Sequence, residues 1–288
     1  MRFFIFLFSF CVISAGTLFS QSHFEAGARQ LTQEAAAVEL EKFRHARMPG
    51  DFCLMFQIVH QNRDNDDDVY CTGTLWGTWI DDVPHLRLTV RRQIRLGATL
   101  VSPTKTVRRM LIVGGENPEL WEAGADGVPV KIDSQNTESF FEGLVLAPFD
   151  LQTPFVYWRD FKYLNTRRLR GRVSHFYELF PPEGFKVAHP EIEAVRIAMD
   201  RTYNALVSVE TLGGNGKAIK KFSLGSVKKV REDYIFKTLE VRDERSRDKD
   251  VFEVKYAALR LDLSISYFEP KALGEKDLEL PSSVFERF

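Results

Sequence analysis

The chain has 288 residues, with 39 lysines and arginines against 40 aspartates and glutamates, and a formal net charge of −1. This balance excludes a strongly basic nucleic-acid-binding protein and an acidic solvating tail as the dominant character. Hydrophobic residues make up 44% and charged residues 27% of the chain, which is ordinary for a folded protein. The length fits one large domain or two small ones.

The first 22 residues read as a secretory signal. A basic residue precedes the apolar run Phe3–Ile13, and small residues follow it. The run is shorter than the roughly 20 apolar residues of a comfortable membrane-spanning helix. We expect cleavage after Ser22, with cleavage after Gly16 as a second option; the alternative is an uncleaved membrane anchor. Residues 23–288 are then expected to form one soluble, exported domain.

The next segment, residues 25–47, is rich in alanine, glutamate and leucine and predicts a helix. Leu31, Ala35 and Val38 share one apolar stripe, and Ala36, Leu40 and Phe43 widen it. Pro49 and Gly50 then end the helix.

From Asp51 onward the hydrophobic period is two, which is typical of strands. Strands are predicted within residues 51–60, 69–80, 85–96, 106–113, 128–132, 169–180, 193–200, 202–212, 217–224, 234–242 and 251–259. Residues 138–146 predict a helix, and 153–161 a short irregular or helical piece. The charged run 242–250 is typical of a solvated hairpin tip. The fold class is therefore mainly β with some α: a single curved antiparallel sheet of about ten or eleven strands, with helices against one face.

Motifs for catalysis are missing from the sequence. The six histidines show no HExxH pair or short metal-ligand spacing, and there is no G-x-S-x-G elbow. The acidic loop with Asp64 and Asp66–Asp68 lacks the EF-hand spacing. We therefore predict a binding protein rather than an enzyme, with no cofactor and no metal. An exported hydrolase with a carboxylate pair is the disfavoured alternative.

Cys53 and Cys71 are the two cysteines that follow the signal. Export permits a disulfide between them. The alternative is that both are small buried apolar side chains.

Basic residues are segregated into three stretches: Arg87–Arg109, Arg167–Arg172 and Lys217–Arg231. One interpretation is a surface for anionic lipid headgroups or an acidic partner. The other is solvent-facing strand residues that discourage edge pairing.

Several short motifs occur in a characteristic order. The strand DFCLMFQIVH is followed by Gly73-Thr74-Leu75-Trp76, and later by MLIVGGENPELWEAG with Trp121 after a glycine turn. In the second half, LRGRVSHFYELFPP precedes a strand pair, the step from Gly216-Lys217 to Lys221-Phe222, and DYIFKTLEVRDE. Their order resembles that of the LolA-like periplasmic carriers of outer-membrane lipoproteins and the related lipoprotein-sorting proteins.

The resemblance implies an incomplete antiparallel β-barrel whose concave side is covered by helices, in the periplasm of a Gram-negative cell. It implies an apolar hollow that shields the acyl chains of lipoproteins or other lipids, as a chaperone does. Candidate lipid-binding residues are Leu54, Phe56, Leu75, Trp76, Trp79, Leu86, Leu88, Phe140, Phe155 and Trp158. For each of them the alternative is a closed, packed core. Candidate contacts to a headgroup or a partner are Arg87, Arg91, Arg92 and Arg108.

The expected function is a monomeric carrier that exchanges cargo with transfer partners at the inner and outer membranes. The alternative is a periplasmic sensor or scaffold on the same fold, which binds lipoprotein or a protein partner without transport.

Overall fold

A computed structural model describes residues 29–62, 69–96, 99–101 and 107–288. The predicted export signal and the acidic loop with Asp64 and Asp66–Asp68 lie outside the described residues. The chain divides into two compact units. The first holds the described residues up to Met48 together with Phe155–Phe236, and the second holds Pro49–Pro154 together with Lys237–Phe288.

The first unit contains one longer helix, one short helix and five strands among its described residues. They are α1 (Gln33–Arg44), β8 (Phe161–Leu169), β9 (Arg172–Leu179), α3 (Glu183–Ala188), β10 (Ala194–Asp200), β11 (Ala205–Leu212) and β12 (Ala218–Val230). A 3-10 turn (Pro154–Tyr157) leads into this unit, and β13 (Asp233–Asp243) begins in it.

The second unit contains the other strands of the described chain and one short helix. They are β1 (Asp51–Gln61), β2 (Tyr70–Ile80), β3 (Val83–Leu96), β4 (Thr99–Val101), β5 (Val107–Val113), β6 (Glu119–Ala123), β7 (Pro129–Ile132), α2 (Pro148–Gln152), β14 (Lys249–Leu261) and β15 (Glu286–Arg287). Three 3-10 turns cover Ile265–Phe268, Pro270–Gly274 and Ser282–Val284.

All strand pairs with a recorded register are antiparallel. Within the second unit the order is β7-β6-β5-β3-β2-β1-β14-β13, and within the first it is β12-β11-β10-β9-β8. β4 pairs with β3, and β15 pairs with β14. In the described part of the chain these strands form one large antiparallel sheet that does not close into a barrel, with few helices. The predicted class of antiparallel sheet is confirmed.

The described residues contain more strands than the ten or eleven expected, 15 in all. The additional ones are β4, β6, β8 and β15, of which β4 and β15 have three and two residues. Such short strands carry too few side chains for a period of two to appear in the sequence. β8 contains four consecutive polar residues, Asn165-Thr166-Arg167-Arg168, so a period of two does not show in its sequence.

Of the predicted helical range 25–47 the structure describes residues 29–47, and helix α1 occupies Gln33–Arg44 of these. The Thr32 hydroxyl accepts a hydrogen bond from the backbone N–H of Ala35, which sets the first turn. The buried side chains are Ala36, Leu40 and Phe43, whereas Val38 is 54% exposed. Ala36, Leu40 and Phe43, which the sequence predicts as the widening of the stripe, therefore form its buried centre, and Val38 lies outside it.

Two glutamines of the helical segment pair with the backbone of strand β8. The Gln33 amide donates to the carbonyl of Phe161 at 3.1 Å and accepts from the N–H of Tyr163 at 2.9 Å. The Gln30 amide accepts from the N–H of Thr166 and donates to its carbonyl, at 2.7 and 2.8 Å. β8 ends the strand path, so these amides satisfy backbone groups that no neighbouring strand reaches.

Candidate functional site

The second unit carries an apolar face on the sheet formed by β14, β1, β2, β3, β5 and β6. Directly opposite residues on paired strands point to the same side of a sheet. Leu54 lies opposite Leu75, which lies opposite Leu88, which lies opposite Met110. The apolar face consists of Phe52, Leu54, Phe56, Ile58, Leu75, Leu86, Leu88, Val90, Met110, Ile112 and Leu120, all at most 4% exposed.

Two glycines in β2 give this face its shape. Gly73 and Gly77 lie opposite Phe56 and Phe52 on β1. A Cβ atom on Gly77 would lie only 2.0 Å from the ring of Phe52, and one on Gly73 only 2.3 Å from the carbonyl oxygen of Thr89. The two phenylalanine rings therefore lie flat over β2, and a larger residue at either glycine would displace them.

The predicted lipid-binding residues fall into four groups. Leu54, Phe56, Leu75, Leu86 and Leu88 belong to the apolar face, and Trp79 lies on the same side of β2 at its half-exposed end.

Phe140 belongs to the second unit but lies in the loop after β7, where it is 1% exposed. Phe155 and Trp158 belong to the first unit, where the Trp158 ring lies 5.2 Å from that of Phe185. Trp76 points to the opposite side of the sheet.

Residues 139–152, here called the cover segment, are tied to side chains of the apolar side of the sheet. The predicted helix at 138–146 is not formed; turns and extended backbone occupy it, and α2 begins only at Pro148. Arg108 lies directly opposite Val90 and donates to both carboxylate oxygens of Glu122 and to the backbone carbonyl of Phe140 at 2.7 Å. Gln152 donates to the carbonyls of Val113 and Glu119.

A buried histidine–aspartate pair also bonds to the backbone of the cover segment. His60 continues the row of Phe56 and Ile58 along β1 and lies opposite Asp250. His60 Nδ1 and Asp250 Oδ1 are 2.7 Å apart, and Asp250 Oδ2 accepts the backbone N–H groups of Val145 and Leu146 at 2.8 and 2.7 Å. Burial raises the pKa of Asp250, although the hydrogen bonds from Leu146, His60 and Val145 oppose that rise.

Sequence reasoning missed this pair. Asp250 falls in the charged run 242–250, which predicts a solvated hairpin tip, yet Asp250 is 0% exposed. One signal was available: the alternation Leu54, Phe56, Ile58 places His60 on the buried side of the strand. A buried histidine requires a polar partner, and strand β14 supplies it.

The opposite side of the sheet is covered by the C-terminal segment, residues 264–288. Cys53, Trp76, Leu111 and Ala258 pack there against Tyr267, Phe268 and Leu273. The Trp76 ring meets that of Tyr267 edge-on at 5.6 Å. Trp76 is therefore part of a packed cluster rather than of the apolar face.

Arg87 is buried under the same segment. Its guanidinium lies 3.9 Å above the Tyr267 ring and donates to the carbonyls of Tyr267 and Glu275 at 3.1 and 3.0 Å. Burial lowers its pKa. At 0% exposure Arg87 is not accessible to a headgroup or a partner, contrary to the prediction. The physical reason is its position opposite Trp76, in the middle of the covered side.

The other three candidate arginines also have partners. Arg91 lies on the covered side and pairs with Asp277 at 3.2 Å. Arg92 and Arg108 lie on the apolar side and contact backbone carbonyls of the cover segment, those of Glu142 and Phe140. Arg91 and Arg92 keep partial exposure.

The two cysteines are separate, buried thiols. Cys53 lies opposite Trp76, whereas Cys71 lies opposite Ile58, five positions further along β1. Adjacent positions on a strand are about 3.3 Å apart, so the cysteines lie well beyond disulfide reach. The disulfide alternative is therefore wrong. Burial raises the pKa of Cys53, and that of Cys71 to about 12.

Two features are absent from the residues that the structure describes. No described helix combines the length and apolar character needed to cross a bilayer. In the same ranges, no three histidine, cysteine or acidic side chains are grouped as metal ligands would be.

Comparison with known proteins gives likenesses in structure rather than in sequence. No family model matches the chain, and no curated protein matches it. A domain from Vibrio parahaemolyticus assigned to outer-membrane lipoprotein sorting is similar with a TM-score of 0.66 at 14% identity, over 83% of this chain and 97% of its own. A DUF1329 family protein from Desulfovibrio piger gives 0.63 at 13% identity, over 82% and 95%.

A LolA superfamily protein from Nitrosomonas europaea is also similar, with a TM-score of 0.58 at 14% identity over 81% of this chain and 97% of its own. At these identities the likeness concerns the fold. It agrees with the open antiparallel sheet and the short motifs of the sequence. The chain therefore has the fold of the LolA-like proteins.

Proposed function

We propose that the protein is a periplasmic carrier that binds the acyl chains of lipoproteins or other lipids against the apolar face of its second unit. The observation that carries the proposal is a continuous apolar sheet face closed by a segment with little regular structure. Burial of each methylene group contributes roughly 0.8 kcal/mol. A face of this size therefore offers enough binding energy to hold an acyl chain that is insoluble in water.

The binding involves no covalent chemistry. Three polar side chains lie at the edge of the face: Asp250 and Gln152, which are buried, and Arg108, which is partly exposed. They bond to backbone of the cover segment or of the strand ends. None of these three contacts has the geometry of a nucleophile with its base. Their role in the proposal is to hold the cover segment in place when no lipid is bound, and to release it when an acyl chain takes its place.

Export and cargo transfer complete the proposal. The apolar run at the N-terminus of the sequence supports passage across the inner membrane, and the LolA-like fold supports work in the periplasm. The cover segment would exchange with an acyl chain at each membrane. Inner- and outer-membrane partners would then receive and deliver the cargo.

The test is the lipid content of residues 23–288 purified from a membrane-containing host. The native mass is measured before and after extraction with organic solvent. We expect a mass excess that matches one or more acyl chains and disappears on extraction. A protein that is always ligand-free and takes up no added lipid would exclude the carrier and leave the sensor or scaffold.

A pair of variants locates the binding. Trp79→Asp places a charge at the half-exposed end of the apolar face, where the fold tolerates it better than at the fully buried Leu75. We expect lipid uptake to fall while circular dichroism is unchanged. Tyr256→Asp, at a site 37% exposed on β14, is the control and should leave uptake unchanged.

A further inference from the structure

The first unit contains a cavity of about 350 Å³ on the side of its sheet that faces away from helix α1. Tyr177 on β9 marks the α1 side, because its hydroxyl donates to the backbone carbonyl of Ala36. Asp200 lies three positions beyond Ile197, the partner of Tyr177, and so points to the other side. Ala205 lies directly opposite Asp200 and shares that side.

The cavity wall is mainly apolar. The side chains of the wall come from four places: the β8–β9 hairpin, the start of β11, the middle of β12 and the start of β13. The apolar and aromatic ones include Leu169, Ala205, Val207, Leu224, Val227 and Tyr234. A volume of this size lies within the range of about 300–1,000 Å³ seen for small-molecule pockets.

Hydrogen bonds fix one wall of the cavity. Asp200 is 2% exposed, and its carboxylate accepts from the backbone N–H groups of Thr202 and Tyr203 at 2.8 and 2.9 Å. The same carboxylate pairs with Arg172, whose guanidinium lies 4.1 Å from the centre of the Tyr203 ring. Arg172 thus compensates the negative charge of Asp200, and its guanidinium also packs on the ring of Tyr203, which lines the cavity.

Basic side chains lie around the cavity. Arg170, at the hairpin turn, donates to the backbone carbonyl of Leu224 at 2.8 Å. Lys229 Nζ lies 6.0 Å from the ring centre of Tyr234. These two cations come from the second and third basic stretches of the sequence, Arg167–Arg172 and Lys217–Arg231. Two basic stretches far apart in sequence therefore meet at one apolar cavity.

The alternative interpretation of these two basic stretches is that they are solvent-facing strand residues that discourage edge pairing. That interpretation does not account for an apolar cavity between them. Val227 is 44% exposed at the cavity and lies in a stretch that is otherwise rich in lysine. An exposed apolar side chain among cations fits a ligand that has both an apolar part and a negative charge.

We propose that this cavity is a second binding site, for a small anionic amphiphile. The apolar part of the ligand lies against Val207, Leu224 and the tyrosine rings. Its carboxylate or phosphate lies beside Arg170 and Lys229, which supply charge-assisted hydrogen bonds. The site is separate from the apolar face of the second unit and does not depend on the carrier function.

Decanoate and decanol are suitable probes, because they share one chain and differ in the charge of the head. Binding to residues 23–288 is measured by calorimetry, and a diazirine-labelled decanoate maps the site by mass spectrometry. We expect crosslinks to residues 203–207 and 224–234. Crosslinks confined to the second unit, or no binding of decanoate, would overturn the proposal.

Variants separate the two halves of the site. Arg170→Glu with Lys229→Glu should weaken decanoate binding at this site about tenfold or more and leave decanol nearly unchanged. Val207→Trp should weaken both by filling the cavity. Lys186→Glu with Lys217→Glu, two exposed positions elsewhere in the unit, makes the same charge change and should have no effect. An equal loss in this control would overturn the site.

Vesicles distinguish a free amphiphile from a membrane surface. Flotation with phosphatidylglycerol and phosphatidylcholine vesicles is compared between the parent protein and the double variant. For a pocket ligand, we expect the double variant to lose decanoate without a matching loss of vesicle binding. Loss of vesicle binding in a protein that binds no decanoate would make the basic rim a membrane contact and refute the pocket.

Discussion

His60 and Asp250 lie 190 positions apart in the chain, and their side chains meet at 2.7 Å in the interior of the second unit. The same carboxylate holds the backbone of the cover segment at Val145 and Leu146. One buried acid thus joins two strands and the loop that closes the apolar face.

Replacing Asp250 by alanine should destabilise the protein markedly. Two backbone N–H groups and the His60 ring would lose their partner, and each buried group left unsatisfied costs roughly 1–3 kcal/mol. Asp250→Asn keeps an oxygen for the cover segment and should cost less. The free energy of unfolding in urea measures both. Asp262→Ala, at an exposed position, is the control; an equal loss there would contradict the role of Asp250.

The raised pKa of Asp250 predicts a pH dependence of stability. An acid whose pKa is higher in the folded than in the unfolded state contributes stability that is fully present below the unfolded value, about 3.9, and is lost as the pH rises through the folded value. The parent protein should therefore lose stability relative to Asp250→Asn as the pH rises above about 4. Unfolding at several pH values checks this. A constant difference between the two proteins would refute it.

Lipid loading should release the amides of Val145 and Leu146. In the structure both bond to Asp250, so their hydrogen exchange should be slow without ligand. If an acyl chain displaces the cover segment, exchange should become faster at these two positions. The amide of Ile197, in the middle of β10 in the first unit, serves as reference and should not change. Slower exchange at Val145 on loading would contradict displacement of the cover segment.

Arg87→Lys should loosen the C-terminal segment. Lysine has a compact ammonium group and cannot reproduce the fork that donates to the carbonyls of Tyr267 and Glu275. Hydrogen bonds of charged groups contribute roughly 1.5–3 kcal/mol each, so we expect a loss in that range and faster proteolysis after residue 263. Arg91→Lys, on the same strand and side, alters a partly exposed ion pair and should cost less than about 1 kcal/mol.

The thiols of Cys53 and Cys71 should be inert in the folded protein. Both are buried, and the pKa of Cys71 is raised to about 12, so little reactive thiolate exists at neutral pH. Residues 23–288 should react with a thiol reagent only after unfolding, and then at two sites. Protection that persists in denaturant and disappears with a reductant would show a disulfide instead.

Local periodicity predicted much of this architecture. The period of two along β1 puts Leu54 and Phe56 on one side of that strand, and the register of the structure adds Leu75 of β2 on the same side. The shared side of Leu54 and Phe56 depends on residue spacing alone, which the sequence contains. Short strands and strands with polar runs were not predicted, because their apolar residues do not show a complete period of two.

The covering elements could not be predicted from spacing. Trp76 lies under the C-terminal segment because its ring packs against Tyr267. Arg87 lies there because it donates to the carbonyls of Tyr267 and Glu275, 180 and 188 positions further along the chain. Residues 138–146 predict a helix, yet Arg108 and Asp250 bond to the backbone of the cover segment, which forms turns and extended chain there. Contacts of this kind arise only once the sheet has formed.

The amide pairs of Gln30 and Gln33 with β8 have a consequence for the isolated protein. They occupy the backbone donors and acceptors by which one molecule could add its edge strand to another. Without these two side chains, β8 would be an edge strand with unpaired backbone groups, and the edge strands of two copies could pair. The segment just before and at the start of the first helix therefore also protects one edge of the sheet.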